Sequence, residues 1–287
     1  MGKGASSTVF RVQGEKDFFA LKAIQDKILY DRELTALKHL AHPNIISMKG
    51  STVINRHYCL CLEFLPYVSL HEHIKSFAQW RMDEAAIAKV FLQLLGALRF
   101  MHDKRIAHHD LNSRNILVEQ ETGKVVIIDF GYSVMVPFDG SLVKHDFGTP
   151  LYLPIEVLEG REHDPRLVDV WGLGVILVEM IQGHQPWKAA HSFPALIQLI
   201  QSTIPPLNPE GECYAQPESK LGFSSGGLLN NSNMVKTKSR ISWNRNISTP
   251  YLNIVDSMLQ VDPRLRGTVS SVIDMLNCSG VEGSVFR

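Results

Sequence analysis

The hydrophobic pattern of the chain changes near residue 65, and this change limits the possible folds more than any other feature. Before it, turn-like stretches and one helical segment at residues 30–40 separate four β-branched and aromatic runs, TVFRV, FFALKAI, NIISM and HYCLCLEF. Such runs predict a small, mostly antiparallel sheet that carries one helix. After it, apolar residues from Ile87 to Met101 recur at the spacing of an amphipathic helix. The pattern therefore predicts an α+β chain with a sheet-rich first part and a helical second part.

The helical part contains further elements. Two strand-like segments, NILVE and KVVIIDF, interrupt it. Additional helical patterns occupy residues 166–182, 193–203, 250–260 and 268–277. Residues 204–248 are rich in Pro, Gly, Ser and Asn and have no sustained apolar period, which predicts a flexible surface insertion.

Composition excludes several classes of function. Lys plus Arg and Asp plus Glu both total 29, so the chain lacks the basic excess of nucleic-acid binders and polybasic membrane anchors. The longest apolar run, at residues 168–181, is too short and too acid-flanked to span a bilayer. The four cysteines form no CxxC pair, which favours a reducing, intracellular compartment. We therefore expect a cytoplasmic protein, with the nucleus left open, that binds neither nucleic acid nor a membrane.

Residues 108–115, HHDLNSRN, concentrate polar chemistry between an apolar helix and an apolar strand. By residue type alone they fit a catalytic loop, a metal site, or the remains of either. Near the start of the chain, Gly2 and Gly4 would allow a turn with exposed backbone N–H groups, which suits phosphate. Lys22 ends an apolar strand and needs an anion. Glu33, eleven residues on in a helical segment, could hold this lysine toward a phosphate.

Eight motifs occur in a fixed order: GKGASSTV, FALK, REL, HHDLNSRN, DFG, GTPLYLPIE, DVWGLGVIL and DPRLR. By these motifs the chain resembles the eukaryotic protein kinases from residue 2 to about residue 277. The resemblance implies a two-lobed fold, with a small antiparallel-sheet lobe at residues 1–65 and a larger helical lobe at residues 66–287. Because little sequence precedes the phosphate loop, we expect the first strand to be truncated.

The resemblance also implies how ATP would be bound. Gly2 and Gly4 would cover the phosphates, and Lys22, oriented by Glu33, would bind the α- and β-phosphates. Leu62 falls at the gatekeeper position. The other residues expected around the adenine are Glu63 and Leu65, through their backbone, and Val9, Ala20 and Leu117.

Catalysis would fall to the second lobe. Asp110 would position the substrate hydroxyl and accept its proton, while Asn115 and Asp129 would hold Mg²⁺. These assignments favour the catalytic-loop interpretation of residues 108–115.

Other motif residues would be structural. His108 would pack beneath Phe130 and is more consistent with packing than with a ligand or base. Glu156 and Arg266 would form a buried ion pair, and Asp169 would support the catalytic loop.

Four positions depart from the family pattern or decide between its branches. His109 replaces an arginine that normally receives an activation-loop phosphate, so we expect activity that does not depend on phosphorylation of Ser141. Asn112 stands where serine/threonine kinases place a lysine, and Arg114 matches the tyrosine-kinase arrangement and could supply the missing cation as a catalytic residue. Thr149 and its segment follow the serine/threonine pattern instead, which we favour.

Two functions of different classes remain open. The leading one is an ATP- and Mg²⁺-dependent serine/threonine kinase that acts on a protein substrate, with tyrosine or dual specificity as a variant. The alternative is a pseudokinase, a nucleotide-binding or empty scaffold that uses residues 204–248 for docking. The sequence predicts no oligomeric state.

Overall fold

The computed structural model describes residues 7–15, 17–204, 241 and 247–279. Its first part is a four-stranded antiparallel sheet in the order β1–β2–β4–β3, with one helix packed against it. The elements are β1 (Ser7–Gln13), β2 (Phe18–Ile24), α1 (Lys27–His39), β3 (Met48–Ile54) and β4 (His57–Glu63). The predicted sheet and helix are confirmed. Gly2, Gly4 and most of the predicted 204–248 insertion lie outside the described residues.

Helix α1 begins three residues before the predicted segment because Asp26 caps it. The Asp26 carboxylate accepts hydrogen bonds from the amides of Ile28, at 2.7 Å, and Leu29, at 3.3 Å. Such a cap satisfies amides that have no partner within the helix. The buried face of α1 includes Glu33 among apolar residues, so the helix places one carboxylate against the sheet.

The strand predicted for NIISM is wrong. Strand β3 starts only at Met48, and the preceding isoleucines contact the other lobe instead. Ile45 forms an isolated parallel bridge with Ile127, and the Ile46 amide donates to the Ile127 carbonyl at 3.0 Å. Both isoleucines are buried. Their β-branched character suits a buried extended segment, and local pattern cannot distinguish this contact between lobes from a strand of the first sheet.

The second part is mainly helical. Its helices are α2 (Leu70–Ser76), α3 (Glu84–Asp103), α4 (Ile155–Leu158), α5 (Pro165–Gln182), α6 (Phe193–Thr203), α7 (Thr249–Met258) and α8 (Val269–Cys278). Strands β5 (Val68–Ser69), β7 (Ile116–Val118) and β8 (Val125–Ile127) form one small sheet, and β6 (Ile106–Ala107) pairs with β9 (Val134–Met135). The helices and the two strand segments predicted after residue 66 are confirmed, with boundaries that agree to within three residues.

Helix α5 forms the centre of the second lobe, and almost all of its residues are buried. Gly172 lies where the backbone of the 108–115 loop crosses this helix. A Cβ atom at Gly172 would lie 2.9 Å from the Leu111 carbonyl oxygen, so only glycine permits the close approach. Helix α3 is long and apolar enough to span a membrane by composition, but it packs on α5, α8 and β8 as a core helix.

Candidate active site

Lys22 is the centre of a charged cluster between the two lobes. Its Nζ lies 2.8 and 2.7 Å from the two carboxylate oxygens of Glu33 and 2.9 Å from Asp129 Oδ1. The Lys22 and Glu33 side chains are 6 % and 1 % exposed, whereas the Asp129 side chain is 41 % exposed. The predicted contact between Lys22 and Glu33 is confirmed. One ammonium facing two carboxylates leaves the cluster with an excess negative charge, which would favour a cation.

Lys22 and Asp129 hold each other in the charged form. Burial alone would lower the pKa of Lys22, but the Glu33 and Asp129 carboxylates outweigh it and raise that pKa above its ordinary value. Burial likewise opposes ionisation of Asp129, but Lys22 holds the pKa of Asp129 below its ordinary value. Both groups are therefore charged at neutral pH. Asp129 also has a φ of 64°, a left-handed conformation that is uncommon outside glycine and recurs at functional sites.

The Asp110 carboxylate is fixed by neutral donors. Thr149 donates twice to Oδ1, from its amide and from its hydroxyl, both at 2.7 Å. Asn112 Nδ2 donates to the same oxygen at 3.2 Å, and Asn115 Nδ2 donates to Oδ2 at 2.9 Å. Thr149 therefore braces the Asp110 carboxylate. Because the four donors are uncharged, they orient the carboxylate without neutralising it.

Asn112, which stands where the serine/threonine pattern has a lysine, organises the catalytic loop through its side-chain amide. Its Nδ2 also donates to the Asp110 carbonyl oxygen at 3.0 Å and to Thr149 Oγ1 at 3.1 Å. Its Oδ1 accepts hydrogen bonds from the amides of Arg114, at 2.9 Å, and Asn115, at 3.2 Å. A lysine has no acceptor and could not bind these two amides.

Asp169, near the start of α5, supports the catalytic loop through hydrogen bonds to its backbone, as predicted. Its carboxylate accepts hydrogen bonds from the amides of His108, at 2.9 Å, and His109, at 2.8 Å, and from His102 Nε2 at 2.9 Å. Burial opposes ionisation of Asp169, but these donors outweigh burial and hold its pKa below the ordinary value. A buried, ionised carboxylate therefore anchors the loop to the core.

His108 packs against Phe130, with ring centroids 4.8 Å apart and planes inclined by 60°. Its Nε2 donates to the Ile128 carbonyl at 3.0 Å, and its Nδ1 accepts a bond from the Asp110 amide at 3.3 Å. Both ring nitrogens are therefore engaged within the protein. The predicted packing role of His108 is confirmed.

The strand register places the predicted nucleotide-binding residues of the sheet on one face. Val9 lies opposite Lys22 between β1 and β2, and Ala20 lies opposite Leu62 between β2 and β4. Directly paired residues, and residues two apart on a strand, share a face of the sheet. The bond between Lys22 and Asp129 shows that this face is turned toward the second lobe.

The remaining predicted adenine contacts lie at the junction of the lobes. The Glu63 amide donates to the Ser47 carbonyl at 2.9 Å, so the predicted backbone contact of Glu63 is limited to its carbonyl oxygen. Leu65 is half-buried and packs against the core. Leu117 is half-buried at the middle of β7.

Arg114 is oriented by His71 of α2. Arg114 Nη2 donates to His71 Nε2 at 3.1 Å, and His71 Nδ1 donates to Glu179 Oε1 at 3.1 Å. Glu179, on α5, is buried and also accepts from the Tyr152 hydroxyl at 2.5 Å. The exposed Arg114 guanidinium is therefore fixed by a chain of hydrogen bonds through His71 of α2 to Glu179 of α5. Its action on a γ-phosphate stays a prediction.

The buried ion pair between Glu156 and Arg266 is confirmed. Arg266 Nη1 donates to Glu156 Oε1 at 2.7 Å, and Nη2 donates to Oε2 at 3.2 Å. The side chains are 2 % and 0 % exposed. The pair joins α4 to the loop that precedes α8.

Comparison with known proteins agrees with this geometry. The family model of the protein kinase domain matches residues 1–276. The chain belongs to the protein kinase family. Among similar kinases, serine/threonine-protein kinase KIN4 of Saccharomyces cerevisiae is 34 % identical over 164 residues, 57 % of this chain and 20 % of the relative. Serine/threonine-protein kinase pakC of Dictyostelium discoideum is 30 % identical over 214 residues, 72 % of this chain and 44 % of the relative. The chain spans less than half the length of these kinases.

Sequence reasoning about this kinase domain missed the partners of two site residues. His109 Nε2 contacts His163 Nε2 at 2.9 Å, and the guanidinium of Arg114 contacts His71. These partners lie 54 and 43 residues away along the chain. A lone histidine in a loop gives no local signal of such a contact.

Proposed function

We propose that this kinase domain transfers the γ-phosphoryl group of ATP, with Mg²⁺, to serine or threonine hydroxyls of protein substrates. The observation that carries the proposal is Lys22 held between Glu33 and Asp129. In protein kinases the lysine–glutamate ion pair and the DFG aspartate must both be in place for transfer. The relatives named as serine/threonine kinases support the choice of hydroxyl.

Asp110 would receive the proton of the reacting hydroxyl. The hydroxyl oxygen forms a bond to the γ-phosphorus as the bond between that phosphorus and the bridging oxygen of ADP breaks. Thr149, Asn112 and Asn115 keep the Asp110 carboxylate oriented for this proton transfer. Lys22 would hold the α- and β-phosphates, and the exposed Arg114 would offer a second cation to the γ-phosphoryl group.

Asn115 and Asp129 fit a magnesium ion by their donor chemistry. Mg²⁺ takes oxygen ligands and binds through one or two protein groups together with phosphates. In the described part of the chain, no hydrogen bond engages Asn115 Oδ1 or Asp129 Oδ2. Both oxygens thus remain available. When bound, Mg²⁺ would neutralise charge on the phosphates during transfer.

We also propose an intracellular location, in the cytoplasm or the nucleus. Among the described residues, Cys59, Cys61 and Cys278 are free thiols. Free thiols fit a reducing compartment.

Phosphoryl transfer from labelled ATP to a mixture of proteins tests the proposal. We expect Asp110→Asn to reduce the rate by about 10²–10⁴-fold, the range for loss of a general base. Lys22→Met should abolish transfer, whereas Lys49→Met, at an exposed lysine of β3, should leave it unchanged. The label should appear on serine and threonine, and label on tyrosine would contradict the proposed specificity. Nucleotide binding without any transfer by the folded domain would instead favour the scaffold function.

A further inference from the structure

Two buried histidines join the catalytic loop to the segment before α5. His109 is 1 % exposed and His163 is 3 % exposed. Their Nε2 atoms lie 2.9 Å apart, and their ring centroids lie 5.2 Å apart. The Nε2 contact has the length of a hydrogen bond, so one nitrogen must donate and the other must accept.

The other ring nitrogens determine how many protons this pair carries. His109 Nδ1 lies 3.0 Å from the Phe147 carbonyl oxygen, and His163 Nδ1 lies 2.9 Å from the Arg161 carbonyl oxygen. A carbonyl oxygen only accepts, so each Nδ1 carries a proton. With both Nδ1 atoms protonated, two neutral rings would face each other with Nε2 lone pairs. The Nε2 contact therefore requires a third proton, and the pair carries one positive charge.

The surroundings place this charge on His163. Burial lowers the pKa of His109 to about 4, and the neighbouring rings of His163 and His145 oppose its protonation further, although Asp169 favours it. His109 is therefore the neutral acceptor, and His163 Nε2–H is the donor. The ionised Asp169 carboxylate, bonded to the His109 amide at 2.8 Å, provides a nearby negative charge.

Other charged groups act on the pair from α1 and from the activation segment, which is the stretch from the DFG motif to the end of GTPLYLPIE, residues 129–156. His145 lies with its ring centroid 6.1 Å from that of His109. Arg32 of α1 disfavours protonation of His145, whereas Asp146 favours it. Burial and these charges together lower the pKa of His145, so this ring adds no competing positive charge near neutral pH.

The pair is connected at both ends to the activation segment. The His163 backbone exchanges two hydrogen bonds of 2.9 Å with Val143, and His109 Nδ1 donates to Phe147. Two residues after Phe147, Thr149 binds the Asp110 carboxylate. Hydrogen bonds from His163, His109 and Thr149 therefore connect the activation segment to the catalytic loop on both sides of Asp110.

We propose that one shared proton joins His109 to His163 and so holds the activation segment against the catalytic loop. The kinase is then most active when the pair is protonated, and it loses activity as rising pH removes this proton, because two facing lone pairs repel. His109 and His163 are thus positioning residues. The link to activity rests on the proposed function, whereas the shared proton does not depend on it.

The shared proton can be observed directly by NMR of the ¹⁵N-histidine-labelled domain, with signals assigned through His109→Gln and His163→Gln. We expect His163 to be protonated on both nitrogens and His109 on Nδ1 alone, at about pH 6.5. Two neutral rings, or two charged rings, at this pH would overturn the proposal. This measurement needs no catalysis, so a domain without activity would refute only the proposed function.

The pH profile of phosphoryl transfer tests the consequence. We expect kcat of the natural protein to fall as pH rises and the shared proton is lost. His163→Gln keeps a neutral donor and should flatten this fall, while His145→Gln, at the neighbouring ring, should leave it unchanged. A fall that persists in His163→Gln, or that disappears in His145→Gln, contradicts the proposal.

Discussion

The buried ion pair between Glu156 and Arg266 allows a quantitative prediction about stability. Arg266 also donates to the carbonyls of Gln260 and Leu167, at 3.0 and 3.1 Å. Among the described residues, the Glu156 carboxylate accepts hydrogen bonds from Arg266 alone. Arg266→Gln therefore removes the positive charge and leaves a carboxylate that is only 2 % exposed. The variant should be strongly destabilised.

The magnitude follows from the lost contacts. Two charge-assisted hydrogen bonds contribute about 1.5–3 kcal/mol each, and the glutamine amide retains one weaker bond. We expect the free energy of unfolding to fall by about 3–4 kcal/mol, which agrees with the general cost of breaking a buried ion pair. For a domain of this size such a loss lowers Tm by about 6–16 °C.

Equilibrium urea unfolding, followed by tryptophan fluorescence, measures this loss. Arg264→Gln is the matched control, because Arg264 pairs with Asp262 at 2.6 Å but its side chain is 87 % exposed. The control should unfold like the natural protein. The double variant Glu156→Gln/Arg266→Gln should recover part of the loss, since it buries no unpaired charge. A loss below about 1 kcal/mol for Arg266→Gln, or a double variant no more stable than the single one, would refute the reasoning.

Four further predictions concern the site. Glu33→Gln should weaken nucleotide binding, measured by titration calorimetry, because Lys22 loses its fixed anion. Thr149→Val should lower kcat by about tenfold or more with little change in KM for ATP, because the Asp110 carboxylate loses the hydroxyl bond of 2.7 Å. Ser141→Ala should leave kcat unchanged, and a collapse of the rate would contradict independence from activation-loop phosphorylation. Asp169→Asn should make stability less sensitive to acid. The depressed pKa of Asp169 means that its stabilisation is present above about pH 4 and is lost as pH falls further, which urea midpoints between about pH 3 and about pH 6 would reveal.

Much of the fold was predictable because secondary structure follows the local period of apolar residues. The stripe from Ile87 to Met101 lies on the buried face of α3, and the boundaries of α5 and α6 agree closely with the sequence pattern. The strand predicted for NIISM was wrong because buried extended segments and strands are both rich in apolar, β-branched residues. The contact of Ile45 with Ile127 joins positions 82 residues apart, and no local window contains both.

The sequence by itself determined the ordered motifs, and with them Lys22, Glu33, Asp110 and Asp129 as the expected site. The resemblance to the protein kinases indicated these residues, because each of them lies within one of the ordered motifs. Only the tertiary structure decided what His109 and Arg114 contact. Their partners come from segments that meet when α2 and the residues before α5 pack around the catalytic loop. Such contacts depend on the packing of remote segments, which a local pattern does not encode.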